Sequence, residues 1–509
     1  MMFSFALTLD PTSRTPMYDQ LYRAIAAAIR EGRLRHGEKL PSKRALCAQL
    51  GVSRSTVEAA YGLLCAEGYV ESRPRSGFFA ANYIALEPLE NAGSVQAAEA
   101  APQKASKSPA PTESFAGRTG NACSRTAQAG SFGSMLATSA VDVSLFPYAS
   151  WAKLYKEVVY NSPALLQRGE AQGEPALREA LARLLNEYRG VRCAPEQVVV
   201  GAGLEILTDQ LVTLFGSGTV YAIEDPGYPA LERVLRSRER SVCYVPMDQH
   251  GMNAQALEAS GATVAYLTPS HQFPLGVTMP ASRRSRLLRW AVEENGWIIE
   301  DDYDSEFRYG GRPISSMQGM DRHERVIYAG TFSRSLAPAI RLAYLVLPPT
   351  LADQWQTLFG RQQSTVSRYE QRVMARFLDE GFYARYLRRV GKLYADRRET
   401  LLQAIAAIDG AAVSGADGGI HFLLTLPQRS EAELIARAAS AGIALHGLSE
   451  YCRKTAPLPS TLVVGYGGLP TEQIPQVVQT LRDAWGCCDC RQSEAEKPLG
   501  ALQITGAFR

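Results

Sequence analysis

The sequence predicts an α/β protein in three parts: a small, mostly helical head, a linker, and a large unit built on a mainly parallel sheet wrapped by helices. Three observations carry this prediction. The chain has 509 residues, 46% of them apolar, too long for one ordinary domain and apolar enough to fill a large core. Beyond Val141, helical stretches such as "PALREALARLLNEY" alternate with short apolar runs such as "QVVV", "TVAYLTP", "GWIIEDDY" and "RVIYAGTFS". That alternation is the pattern of parallel strands joined through helices, which hold ligands at the carboxyl ends of the strands. Between about Leu86 and Ser134 the composition shifts to Ala, Ser, Pro and Gly, with too few large apolar groups to offset the entropy of ordering the segment. The boundaries that follow are 15–83 for the head, 84–138 for the linker, 139–486 for the large unit and 487–509 for a tail.

Bulk properties exclude several classes. With 54 basic and 51 acidic side chains the net charge is +3, so any nucleic-acid affinity comes from a local patch. Nine cysteines without regular spacing argue against a secreted disulfide framework and for a reducing, cytoplasmic setting. Cys487, Cys488 and Cys490 in "CCDC" could bind a soft metal, but no second ligand pair at zinc spacing lies nearby, so no metal site is expected. No run of 18 apolar residues exists, and "MMFSFALTLDPTSR" lacks the basic start and long apolar stretch of an export signal, so no membrane association is expected.

The head opens with "YDQLYRAIAAAIREGRL", where Leu21, Ile25, Ala28 and Ile29 fall at helical spacing. "LPSKRALCAQLGVSRSTVEAAYGLLCAEGYV" then holds two short helices with cap signals at Ser42 and Ser53, joined by a turn at Gly51. That is a helix-turn-helix, with Leu46, Leu50, Val57 and Leu64 facing a small core. Arg44 lies on its first helix, and Arg54, Ser55 and Thr56 follow Ser53 at the start of the second, where side chains meet base edges and phosphates. "GYVESRPRSGFFAAN" predicts two short strands around a basic turn whose Arg73, Arg75 and Ser76 reach phosphates or a minor groove. The plainer alternative is a three-helix packing unit with solvated arginines. "PSKR", "GVSRSTV", "YGLL", "AEGYV" and "RSGFF" fall in the order and spacing of the GntR-type winged helix-turn-helix, which this segment resembles over about 65 residues.

In the large unit, "YAIEDPGYPALERVL" presents Tyr228 after a strand and a Pro-Gly turn, placed to stack on a flat heterocycle. "WIIEDDYDSEFRYGG" ends a strand in Asp301, able to neutralise a pyridinium nitrogen, and Tyr303, able to hydrogen-bond a phenolic oxygen. "GTFSRSLAPAIRLAY" offers Ser333 and Arg341 to a phosphate. Taken singly, the Asp pair reads equally as a solvated strand end and the tyrosine as packing. Taken together, with "TPSHQFP", "EDDYDSEFRY" and "GTFS" followed by "RLAYLVLP", they resemble a fold-type I aminotransferase, a domain that binds pyridoxal 5'-phosphate (PLP), over about 350 residues. Behind a GntR-type head, the whole is similar to a MocR-type transcriptional regulator. The resemblance implies a smaller C-terminal subdomain, a double-stranded DNA operator, and a homodimer with subunits paired head to tail.

It also exposes a departure. After "GTFS" the family carries the lysine that forms an imine with PLP, and here the residue is Arg334. A guanidinium has a pKa above about 12 and is no nucleophile, so the covalent link and the proton relay of transamination are both lost. No catalytic residue is therefore assigned. Three readings stay open for the effector: PLP or a PLP–amino acid adduct held non-covalently, another anion, or no ligand in an inert scaffold. "STLVVGYGGL" lacks the arginine that many aminotransferases use to grip a substrate carboxylate. His271 and His421 read as turn or core hydrogen-bonding residues. The expected function is a DNA-binding regulator with an effector-sensing, dimerising aminotransferase-like domain, and the alternative is a working PLP-dependent aminotransferase that carries a DNA-binding module. At about fifty residues the linker has a root-mean-square reach of roughly 35 to 42 Å.

Overall fold

The computed structural model describes residues 9–10, 16–66, 68–73, 76–81, 133, 135–309 and 315–486. In the head, helix α1 (Met17–Arg30) buries Leu21, Ile25, Ala28 and Ile29 against α3 (Arg54–Ala66). Helix α2 (Lys43–Leu50) starts where Ser42 Oγ accepts from the Ala45 N–H at 3.2 Å. It ends at Gly51, whose φ of 65° is a left-handed conformation that glycine adopts without strain. Helix α3 is capped by Ser53, whose Oγ accepts from the Thr56 N–H at 3.2 Å. Strands β1 (Val70–Arg73) and β2 (Gly77–Ala80) pair antiparallel from Val70↔Ala80 to Arg73↔Gly77 and form the expected hairpin. Tyr61 fixes it to the helices, its hydroxyl donating to the Pro41 carbonyl at 2.8 Å and its ring 4.8 Å from that of Phe78.

The large unit holds an eight-stranded sheet. Its strands are β3 (Val198–Gly201), β4 (Val220–Asp225), β5 (Ser241–Asp248), β6 (Gly251–Met252), β7 (Val264–Leu267), β8 (Trp297–Asp302), β9 (Val326–Thr331) and β10 (Ala343–Val346), in spatial order β3-β10-β9-β8-β7-β4-β5-β6. The pairs joining β5, β4, β7, β8 and β9 are parallel, whereas β10 runs antiparallel to both its neighbours and β6 to β5. The central strands are buried throughout, because helices cover both faces and leave no polar side for alternation. One face is covered by α6 (Leu204–Phe215) and its neighbours, the other by α5 (Pro175–Arg189) and the long helix Phe382–Ile405.

A second, four-stranded antiparallel sheet forms the C-terminal subdomain: β11 (Ala412–Ser414), β12 (His421–Thr425), β13 (His446–Gly447) and β14 (Thr461–Gly465), in order β11-β12-β14-β13. Asp225, buried at the end of β4, accepts the N–H groups of Arg453, Lys454 and Thr455, each at 2.7 Å, and ties this subdomain to the large sheet. Residues 135–138, placed by composition at the end of the linker, pack here: Leu136 is buried and its carbonyl accepts from Gly465 N–H at 2.9 Å. The packed unit thus begins before residue 139. Arg75, Cys487, Cys488 and Cys490 lie outside the described residues. No described helix is long and apolar enough to cross a membrane.

Candidate functional site

At the carboxyl ends of β4, β7, β8 and β9 lies a cavity of about 250 Å³. The five residues expected to hold a cofactor, Tyr228, Asp301, Tyr303, Ser333 and Arg341, line it together with Arg334, whereas His271 and His421 do not. The pleat of β8 explains how two adjacent aspartates take different roles, because successive side chains point to opposite faces. Asp302 turns inward, where its Oδ2 accepts from Arg189 Nε at 2.6 Å and from the Tyr328 hydroxyl. Asp301 turns toward the cavity, 4% exposed, its Oδ2 accepting from the Tyr266 hydroxyl at 2.5 Å. Its Oδ1 is buried without a partner. The strand end is therefore not solvated, and the Asp301 carboxylate needs a donor that the protein does not provide.

Burial, opposed by the Tyr266 hydrogen bond and reinforced by the charges of Asp302 and Asp304, pushes the Asp301 pKa up to about 7. A cationic or N–H-bearing group at Oδ1 would reverse that shift. Tyr228 stands at the mouth, 46% exposed, its ring edge-on to Phe273 at 5.7 Å. The Tyr303 hydroxyl donates to the His271 carbonyl at 3.0 Å, so donation to a ligand competes with this bond. His271 and His421 are buried: His271 Nδ1 lies 2.9 Å from Asp304 Oδ2, and His421 Nε2 donates to the Pro274 carbonyl at 3.2 Å. Burial disfavours the His271 imidazolium, but the Asp304 carboxylate outweighs it and raises the pKa. These three side chains form the one described cluster with metal-ligand spacing, and the His271–Asp304 contact already satisfies two of them.

The opposite wall carries the hydroxyls of Ser333 and Thr331 and the charged pair Arg341 and Glu205. Ser333 and Thr331 are joined through their hydroxyls at 3.0 Å. Arg341 sits at φ 49°, a left-handed conformation that costs a non-glycine residue energy and recurs at ligand sites. Its Nη2 lies 3.3 Å from the Ala202 carbonyl and 3.9 Å from Glu205 Oε2. Gly203, at φ 103°, leaves room for it, since a Cβ there would fall 2.2 Å from Arg341 Nη2. The N-terminus of α6 begins at this point, adding unpaired N–H groups and a positive dipole end. Sequence reasoning missed this turn, although "GAGLEIL" after the run "QVVV" carries the signal of a glycine-rich loop opening a helix. It also passed over Thr268 and Phe273, which lie within a quoted motif, and Ser139, which nothing in the sequence marks.

Arg334 follows β9 at the cavity wall, its Nη1 donating to the Thr138 carbonyl. No lysine is among the lining residues. In the head, Arg44, Ser53, Arg54, Ser55, Arg73 and Ser76 are exposed and Thr56 half-buried. Arg54, its side chain 82% exposed, pairs with Glu58 at 3.0 Å, and Arg73 with Glu71 at 3.1 Å.

A small three-helix head with a hairpin wing, followed by a cofactor-fold sheet with its cavity at the strand ends, defines a two-part class of protein. The aminotransferase class I and II family matches residues 137–481, and the bacterial regulatory gntR family matches residues 17–80. The HTH-type transcriptional regulator YhdI of Bacillus subtilis is 38% identical over 94% of this chain and 97% of its own length. The probable rhizopine catabolism regulatory protein MocR of Rhizobium meliloti is 32% identical over 94% and 96%. PdxR, the pyridoxine biosynthesis transcriptional regulator of Corynebacterium glutamicum, is 29% identical over 95% and 99%. Among solved structures, the kynurenine aminotransferase of Pyrococcus horikoshii aligns at TM-score 0.61 and 25% identity, covering 69% of this chain and 89% of that one. The α-aminoadipate aminotransferase LysN of Thermus thermophilus, complexed with N-(5'-phosphopyridoxyl)-L-leucine, aligns at 0.62 and 26%, covering 70% and 92%. The chain belongs to the HTH-type transcriptional regulators of the MocR and PdxR type, in which a gntR head precedes an aminotransferase-like domain.

Proposed function

We propose that this regulator binds operator DNA as a homodimer through its head, and that its large unit senses a phosphorylated pyridine, PLP or a close relative, held without a covalent bond. The observation that carries the reading is the pairing of a partnerless Asp301 Oδ1 with a guanidinium, Arg334, where a lysine would form the link. The residues present fit the ring and phosphate but not the covalent attachment. When bound, such a group supplies an electron sink for bonds at an amino carbon. Asp301 would pair with the ring nitrogen and Tyr228 would cover the ring face. Arg341, Ser333 and the first turn of α6 would hold the phosphate. Transamination needs a neutral amine to take up and return a proton, and a guanidinium stays protonated, so Arg334 cannot serve.

For the head, exposed Arg44 and Arg54 and the wing residues Arg73 and Ser76 support contact with bases and phosphates, with Arg75 included from its place in the turn. The helix Tyr148–Asn161 (α4) leaves Tyr148, Tyr155, Val159 and Tyr160 exposed, an apolar face that supports self-association. The test is operator binding by the full chain with and without PLP, run beside a transamination assay. We expect operator affinity to change about five-fold or more on adding PLP, a typical coupling between two sites, with no keto acid formed. Turnover of an amino acid, or operator affinity indifferent to bound PLP, would contradict the proposal.

A further inference from the structure

Arg334 is the one cation lining the cavity that the phosphopyridine reading leaves without work. Three polar regions line the space. Asp301 Oδ1 accepts at the floor, and Arg341 with Ser333, Thr331 and the α6 N-terminus forms the anion wall. Arg334 is the third, with Tyr228, Tyr303 and Tyr451 close enough for its charge to bear on their ionisation. It is half-buried, its hydrogen-bond partner is the neutral Thr138 carbonyl, and no carboxylate of a described residue reaches it. A cation withdrawn from water and left without a counter-charge is costly, and a ligand that brings the missing anion recovers that cost.

The position decides where the anion belongs. A lysine following β9 would meet the carbon attached to ring position 4, opposite the ring nitrogen that Asp301 would hold. An arginine there cannot attack that carbon, but its planar fork matches a carboxylate in two parallel hydrogen bonds. An aldehyde offers it one neutral acceptor, and an amine, protonated at neutral pH, offers repulsion. We infer that the pocket selects phosphopyridines bearing a carboxylate at, or just beyond, the carbon on ring position 4, and that Arg334 sets this selectivity. The inference rests on the phosphopyridine reading above. Two sources share the chemistry: the oxidised acid, 4-pyridoxic acid 5'-phosphate, and conjugates in which an α-amino acid is joined through its nitrogen to the phosphopyridoxyl group.

The experiment is calorimetric titration of the full-length chain with four probes: pyridoxamine 5'-phosphate, PLP, 4-pyridoxic acid 5'-phosphate and N-(5'-phosphopyridoxyl)-L-alanine. At least one carboxylate probe should bind about ten-fold or more tightly than the amine, in keeping with a charge-assisted bidentate pair, and whichever leads identifies the source. Arg334→Gln should shrink that preference below about three-fold while strengthening the amine, and Arg334→Lys, which keeps charge but not the fork, should fall between. If all four probes bind the wild type alike, or the amine binds best, selectivity by Arg334 is overturned and the phosphopyridine site stands. If none binds, the phosphopyridine reading itself falls. Should Arg334→Gln fail to fold by its melting curve, the wild-type rank order alone decides.

Discussion

Asp301 and Asp302 are neighbours in sequence with opposite duties, and their difference is measurable. Each leaves its Oδ1 without a partner, but Asp302 is held by the Arg189 guanidinium and Tyr328, whereas Asp301 has only the neutral Tyr266 hydroxyl and lines the cavity. Because burial raises the Asp301 pKa to about 7, above its unfolded value, its contribution to stability is present below the unfolded pKa and is lost as pH rises through about 7. Asp301→Asn removes that titration. The unfolding free energy of wild type relative to Asp301→Asn, from denaturant titration, should therefore decline from pH 5 to pH 7 and level off above it, a change on the order of 1–3 kcal/mol. A difference independent of pH over that range would show that Asp301 is ionised throughout. The cavity residues Tyr228, Asp301 and Tyr303 were legible in the sequence because each sits in a short motif at a strand end. The Arg189 partner of Asp302, 113 residues away, was not, since only the fold brings them together. Ser139 was hidden for a similar reason: its segment has the composition of the linker and is ordered by contacts with β14 that no local pattern records.

At the scale of elements, the recognition helix α3 combines a cap with a display of basic and hydroxyl groups. Ser53 Oγ reaches both the Thr56 N–H at 3.2 Å and its hydroxyl at 2.8 Å, so the residue that starts the helix also orients the side chains at its exposed end. Arg54→Ala should cost about 1–3 kcal/mol of operator affinity and relax specificity at one base position. Arg73→Ala should weaken binding across sequences and lower the salt slope by about one unit. Fluorescence anisotropy across a salt series separates the two, and equal slopes for both variants would contradict the division of labour. Helices α2 and α3 were readable from their caps, and the strands of the large sheet from their apolar runs. The antiparallel insertion of β10 between β3 and β9 was not readable, because an apolar run fully buried on both faces carries no sign of its direction.

For the whole molecule, the central claim is that an aminotransferase-like fold retains the binding half of its chemistry and has lost the covalent half. The buried Asp225 tether keeps the C-terminal subdomain against the large sheet, so the cavity between β4, β8 and β9 has a defined shape before any ligand arrives. That shape makes the claim open to one direct measurement. The full-length wild type and Arg334→Lys are each incubated with PLP, divided, and followed by equilibrium dialysis of one half and intact mass after borohydride reduction of the other. The account predicts that the wild type retains PLP in dialysis and gains no mass. Arg334→Lys should gain one phosphopyridoxyl group, because the residues proposed to hold the ring and phosphate would leave the introduced amine at the position of the family's lysine. A reducible adduct on the wild-type chain, or a wild type that retains no PLP, would contradict it.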